Sequence, residues 1–186
     1  DAVVVPKSDD AGVIRAVDET LTELETGSPR PPLRLVALIE SARGLRRVDS
    51  IVAASDRVVA AWPGMGDLCI DLQASPDSPA VAQAFNDVVQ ATRGAGRTAL
   101  GLAGTMVSFK DLDAFRALAT RSRAAGSRGA SCIHPSQVAV LNEVFSPSAD
   151  ELSDARRLVA AYEESAREGH GTVMMGDTFI DKANYT

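Results

Sequence analysis

Glu40 closes a hydrocarbon run, Leu35-Val36-Ala37-Leu38-Ile39, and Asp67 follows the next such run, Val58-Val59-Ala60-Ala61-Trp62, one strand-plus-helix unit later. Adjacent parallel strands lie about 4.8 Å apart, so the two carboxylates can reach one cation. Magnesium suits the pair: it is a hard ion commonly held by one or two carboxylates, with water and substrate oxygens completing an octahedron. Zinc, or iron bound by two histidines and a carboxylate, is poorly served by a chain whose only histidines are His134 and His170. Gly64-Met65-Gly66-Asp67 reads as a turn whose backbone N–H groups approach an anion closely, and a substrate carboxylate beside a bound metal is the natural occupant. Gly64, Met65 and Gly66 are therefore candidate substrate contacts. Lys7, just after the first apolar run, either attracts an anionic substrate group or lines the rim. It has no neighbouring cation to prime it for Schiff-base chemistry.

Competing readings stand beside these. Asp67 can simply cap the segment after it, and Glu40 can pair with Arg43. Trp62 and Met65 can pack or wall a pocket. His134, before Pro135 and near Gln137, reads as a structural residue of a strand-to-helix turn rather than a general base.

Positioning these residues takes alternating strands and helices. Val3-Val4-Val5, the two runs above, Thr98-Ala99-Leu100-Gly101-Leu102 and Ala130-Ser131-Cys132-Ile133 are continuous apolar segments, as a parallel sheet covered on both faces requires. Between and after them, 10–25, 42–54, 80–95, 111–125 and 149–168 place apolar residues at helical spacing. Ser108 with Asp111, and Ser148 with Glu151, read as helix starts, and Gly126 and Gly169 as stops.

The polar residues collect at the strands' C-terminal ends, and neither a GxGxxG turn nor a P-loop is present. That distribution favours an α/β architecture of the (β/α)8 TIM-barrel type over an open doubly wound sheet. A complete barrel takes about 250 residues, so roughly three leading strands are expected to precede this chain of 186. The expected organisation is the C-terminal part of a barrel over 1–145 and a C-terminal helix and lid segment over 146–186.

Composition narrows the partners. Acidic side chains number 25 against 19 Lys plus Arg, a net charge of -6, which leaves no basic face for nucleic acid. Cys69 and Cys132 sit in separate apolar runs and suggest no disulfide framework, which fits a reducing cytoplasm. No apolar run approaches the roughly 20 residues of a membrane span.

The ordered set Leu38-Ile39-Glu40-Ser41-Ala42-Arg43-Gly44, Gly64-Met65-Gly66-Asp67-Leu68, Ile133-His134-Pro135-Ser136-Gln137-Val138, Phe145-Ser146-Pro147-Ser148 and the late Gly176 to Asp181 segment resembles the citrate lyase β-subunit (CitE-like) branch of the HpcH/HpaI aldolase superfamily. The resemblance implies a TIM barrel with Mg2+ held by Glu40 and Asp67. It also implies cleavage or formation of a carbon–carbon bond between a CoA thioester and a 2-oxoacid, with malyl-, citramalyl- or citryl-CoA as substrates. Lys7 then faces the substrate carboxylate or a CoA phosphate. In relatives the Asp of the Phe179-Ile180-Asp181 motif is an acid carried by a segment that closes over a neighbouring subunit's site, so the resemblance makes Asp181 the catalytic acid and the protein a homo-oligomer, a trimer or hexamer. Alternatively, Asp181 is a helix cap before Lys182-Ala183. Gly66 departs from the family pattern, which has Glu before the Asp. Two other functions remain open: a pyruvate aldolase acting on aldehydes, and a non-catalytic or carrier-dependent subunit of a lyase complex.

Overall fold

A computed structural model describes residues 1–105, 109–176 and 178–182. The chain forms two compact units, Asp1–Phe145 and Ser146–Thr186.

The first unit is a parallel α/β structure. Strands β1 (Ala2–Val5), β2 (Arg34–Ile39), β3 (Val58–Pro63) and β4 (Thr98–Ala99) form one sheet in the order β1-β2-β3-β4. In register, Val3 lies beside Leu35 and Val36 beside Ala60, with a shift between Leu35 and Val36. Leu35, Ala37, Ile39, Val58 and Ala61 are fully buried, as expected for strands with packed layers on both faces. Helix α1 (Ala11–Glu25) starts where the Asp10 side chain accepts the Gly12 N–H. Helix α5 (Pro79–Gly94) has Pro in its first turn, where the missing N–H costs nothing. The buried face of α5 supplies Val81, Phe85, Val88 and Val89 to the core.

Three segments differ from the sequence expectation. The single helix over 42–54 is two, α2 (Ala42–Leu45) and α3 (Val48–Val52). Gly44 packs so closely that a Cβ there would lie 2.8 Å from the Ser8 carbonyl oxygen, and the chain reorients at Arg47 (φ -126°). The Gly64 to Asp67 stretch is no free turn but the start of helix α4 (Met65–Asp71). The fifth strand, over 130–133, does not form. Arg128 N–H to Ala99 O (2.9 Å) and Gly101 N–H to Gly129 O (2.8 Å) tie the residues just before it to the β4 side, and among the described residues backbone bonds of that kind end at Gly129, where the Ser127 hydroxyl also contacts the Gly101 and Gly129 carbonyls. Helix α6 (Leu112–Ala124) is capped by Asp111, whose side chain accepts the Ala114 N–H. Ser108, the other expected start residue, lies outside the described residues.

Helix α7 (Ser136–Phe145) packs on α6 through Phe115, Ala119, Val140 and Leu141. In the second unit, α8 (Ala149–Arg167) opens with a reciprocal Ser148–Glu151 capping box and precedes a hairpin of β5 (Val173–Met175) and β6 (Thr178–Ile180). Gly126 and Gly169 take positive φ after α6 and α8. Among the described residues no helix is long and apolar enough to cross a membrane.

Candidate functional site

Strand ends deliver the site. Lys7 comes after β1, Glu40 and Ser41 after β2, and Asp67 from the first turn of α4 directly after β3. These residues, with Asp9, Ile70 and Asp71, line one cleft of about 350 Å³.

Four carboxylates face this cleft, and two are committed elsewhere. Asp71 Oδ2 accepts the Ala42 N–H at 2.6 Å. Asp9 accepts from the Ser41 hydroxyl, which itself accepts the Gly44 N–H at 2.9 Å as the cap of α2. Glu40 and Asp67 are left. Glu40 is half-buried, and its Oε1 accepts the Lys7 backbone N–H at 2.8 Å. Lys7 holds a left-handed backbone, φ 47°. Among the described residues Glu40 Oε2 takes no hydrogen bond, and neither does the exposed carboxylate of Asp67.

The competing structural readings of this pair fail on geometry. Arg43 pairs with Asp10 at 2.7 Å, not with Glu40. The α4 cap is Gly64, and no side chain supplies a capping hydrogen bond there. That Arg43 contact contributes to an Asp10 carboxyl held below its ordinary value. Desolvation opposes this lowering, and the Gly12 and Val13 N–H groups are its leading causes.

The donor set fits a magnesium ion. Glu40 Oε2 and the Asp67 carboxylate offer hard oxygens without hydrogen-bond partners to one cleft, although among the described residues no group of three or more His, Cys, Asp or Glu is arranged to hold a metal. Two carboxylates with water and substrate oxygens are a magnesium pattern.

A second cleft of about 330 Å³ borders the first. Asp67 lines both. Gly64, Met65 and Gly66 face this second cleft together with Trp62, Leu102, Thr105, Ser131 and Ile133. Met65 is buried among Leu68, Val81 and Phe85, so it serves as wall more than as contact. Gly66 meets nothing where a Cβ would stand. Cys69 lies in the same core, where burial pushes its thiol up and away from the nucleophilic thiolate form.

His134 is occupied structurally. Its Nδ1 contacts the Ser136 hydroxyl at 2.8 Å and the Ser136 N–H at 3.2 Å, and its ring stacks on Phe109 with centroids 4.7 Å apart. The fully buried Gln137 accepts the N–H groups of Ile133 and His134. Asp181 belongs to the second unit, directly after β6, and is half-buried. Sequence reasoning missed Asp9 and Asp71 as braces of α2. Asp9 was signalled only as an acidic residue soon after β1, and Asp71, at the end of α4, carried no signal in the sequence.

Residues 1–135 match the model of the HpcH/HpaI aldolase/citrate lyase family. The chain is 32% identical to the L-malyl-CoA/beta-methylmalyl-CoA lyase of Rhodobacter capsulatus, over 99% of this chain and 64% of that one. It is also 32% identical to the (3S)-malyl-CoA thioesterase of Cereibacter sphaeroides, over 97% of this chain and 60% of that one. Among solved structures, the CitE protein of Mycobacterium tuberculosis in complex with magnesium, acetoacetate and coenzyme A aligns with a TM-score of 0.70 at 28% identity, covering 99% of this chain and 64% of that one. The chain thus spans less than two thirds of the length of these relatives. By the family match over residues 1–135, which take in every strand of its sheet and the cleft bearing Glu40 and Asp67, the chain belongs to the HpcH/HpaI aldolase/citrate lyase family.

Proposed function

We propose that the protein is a magnesium-dependent carbon–carbon lyase of 3-hydroxyacyl-CoA thioesters, splitting malyl-, citramalyl- or citryl-CoA into acetyl-CoA and a 2-oxoacid or running that reaction in reverse. One observation carries the reading: Glu40 and Asp67, at the ends of consecutive strands, share a cleft, and Glu40 Oε2 and the Asp67 carboxylate take no hydrogen bond among the described residues. Their position at the C-terminal end of a parallel sheet supports a (β/α)8 barrel. The named relatives act on malyl-CoA, and a structural neighbour is a complex with magnesium and coenzyme A.

Bound at this pair, magnesium supplies a Lewis acid for the keto and carboxylate oxygens of the oxoacid half, steadying negative charge where bonding changes. In the cleavage direction the substrate hydroxyl would pass its proton to solvent water, its oxygen would form the carbonyl of the oxoacid as the carbon–carbon bond breaks, and that bond's electron pair would pass to the α-carbon of the thioester. Lys7 offers a cation at the rim for a substrate carboxylate or a CoA phosphate. Asp181 is the proposed acid that returns a proton to that α-carbon, a role a carboxylate fills when within hydrogen-bond reach. The proposal extends to a cytoplasmic homo-oligomer.

The test is to incubate the full-length protein with magnesium and the three thioesters while following acetyl-CoA, oxoacid and free CoA. Acetyl-CoA and oxoacid in equal amounts support the reading, and Glu40→Gln or Asp67→Asn lowers kcat by about a thousandfold. Free CoA without carbon–carbon cleavage makes the protein a thioesterase. Condensation of pyruvate with aldehydes, or turnover only with an acyl-carrier partner, replaces the reading with an aldolase or a complex subunit.

A further inference from the structure

Gly64 was read from sequence as a substrate contact, but its surroundings say something more specific. A Cβ at position 64 would lie 2.8 Å from Glu40 Cβ, 3.0 Å from Glu40 Oε2 and 3.3 Å from Leu38 Cδ1. Real side chains do not tolerate the first of these distances, so either Glu40 or the backbone would have to move. The φ of Gly64 is -79°, which any residue adopts, so backbone conformation does not demand glycine here. Space does. The Gly64 N–H also donates to the Ile39 carbonyl at 2.8 Å, which fixes the end of β3 against the residue just before Glu40.

We infer that Gly64 is a positioning residue for Glu40. Its bare Cα forms one wall of the slot that holds the Glu40 side chain, and the left-handed Lys7 amide forms the opposite contact by donating to Oε1. Between these two, the carboxylate is set in place before any ion arrives, with Oε2 on the Gly64 side. Preorganised ligands bind more tightly because their ordering is already complete in the free protein. The assignment rests on the reading of Glu40 as a metal ligand, and the experiment separates the two.

Binding of Mn2+ alone to the full-length protein, followed by calorimetry or by the loss of its free electron-spin signal, gives a readout independent of turnover. The unchanged protein binds, Glu40→Gln loses binding, and Gly64→Ala weakens affinity by about 10- to 100-fold, the range typical for disturbing a ligand's supporting contacts. Gly94→Ala adds the same methyl group at the end of α5, where it meets nothing and lines neither cleft, and keeps the unchanged affinity for Mn2+. Gly64→Ala with unchanged Mn2+ affinity overturns the positioning role while leaving the metal site standing. No binding by the unchanged protein, or unaltered binding by Glu40→Gln, overturns the metal reading and this assignment with it.

Should Gly64→Ala fold poorly, the pair Glu40→Gly with Gly64→Ala decides. Removing the Glu40 side chain removes the two shortest contacts and leaves only the 3.3 Å approach to the flexible end of Leu38, so the methyl at position 64 then costs much less melting temperature than in the unchanged protein. A penalty undiminished in the Glu40→Gly background shows that Gly64 does not answer to Glu40, and sinks the inference.

Discussion

Asp71, in the last turn of α4, accepts the Ala42 N–H at 2.6 Å, so the helix that begins beside Asp67 braces the helix that begins beside Glu40. Two acidic residues of one short helix thereby divide the work. Asp71→Ala should cost about 1 kcal/mol of stability, the net worth of an exposed hydrogen bond. Asp67→Asn should leave the melting temperature unchanged and abolish Mn2+ binding. Thermal melts alongside metal titrations of both variants check this, and a large stability loss in Asp67→Asn contradicts the division.

Gln137 is fully buried and its Oε1 receives two backbone N–H groups, those of Ile133 and His134. Gln137→Met keeps the bulk but strands both donors. Both bonds are only part-buried and their donors belong to exposed residues, so the stranded N–H groups partly rehydrate and the variant should lose about 1 kcal/mol in denaturant titrations.

Arg57 sets a pH dependence. Its Nε contacts Asp18 at 2.6 Å and its Nη1 contacts Glu25 at 2.8 Å, while it also donates to the Leu33 carbonyl and the Thr22 hydroxyl. Hydrogen bonds from Ser55 and Arg57 hold Asp18 below its ordinary 3.8, and those from the Leu33 N–H and Arg57 hold Glu25 below its ordinary 4.5. Depressed carboxylates contribute stability that is fully present above these ordinary values and is lost as pH falls through the lowered folded ones. Melting temperature should therefore drop below about pH 4.5, and Arg57→Met should be less stable at neutral pH with a shallower acid decline. Parallel acid curves for the two proteins would exclude the clamp as the cause.

Gly66 sits inside α4 with open space where a Cβ would go. Gly66→Ala should raise stability by about 0.5 kcal/mol through helix propensity, measured as a higher melting temperature.

How much of this was legible in the sequence depended on range. The parallel strands β1 to β3 and helices α1, α5, α6 and α8 followed from apolar periodicity within a few residues, and the Ser148–Glu151 capping box was readable from its spacing. Glu40 and Asp67 could be paired because a strand–helix–strand repeat places successive strand ends side by side. Helix α4 was hidden because Gly64 and Gly66 imitate a turn, and it is short. The missing fifth strand was not legible because the apolar run at 130–133 satisfies a strand pattern, while the backbone bonds to the β4 side among the described residues end at Gly129, which no local pattern announces. The braces at Asp9 and Asp71 and the Arg57 clamp join residues far apart in the chain, so only the folded arrangement reveals them.

The Arg57 clamp holds the residues that lead into β2 and β3, whereas Lys7, Glu40 and Gly64 follow β1, β2 and β3. The clamp and the candidate site thus occupy opposite rims of the same sheet. Sequence change around the second cleft can explore new specificities without loosening the footing, which makes Leu102, Thr105, Ser131 and Ile133 the natural ground for redesign and the Arg57 surroundings the ground to leave untouched.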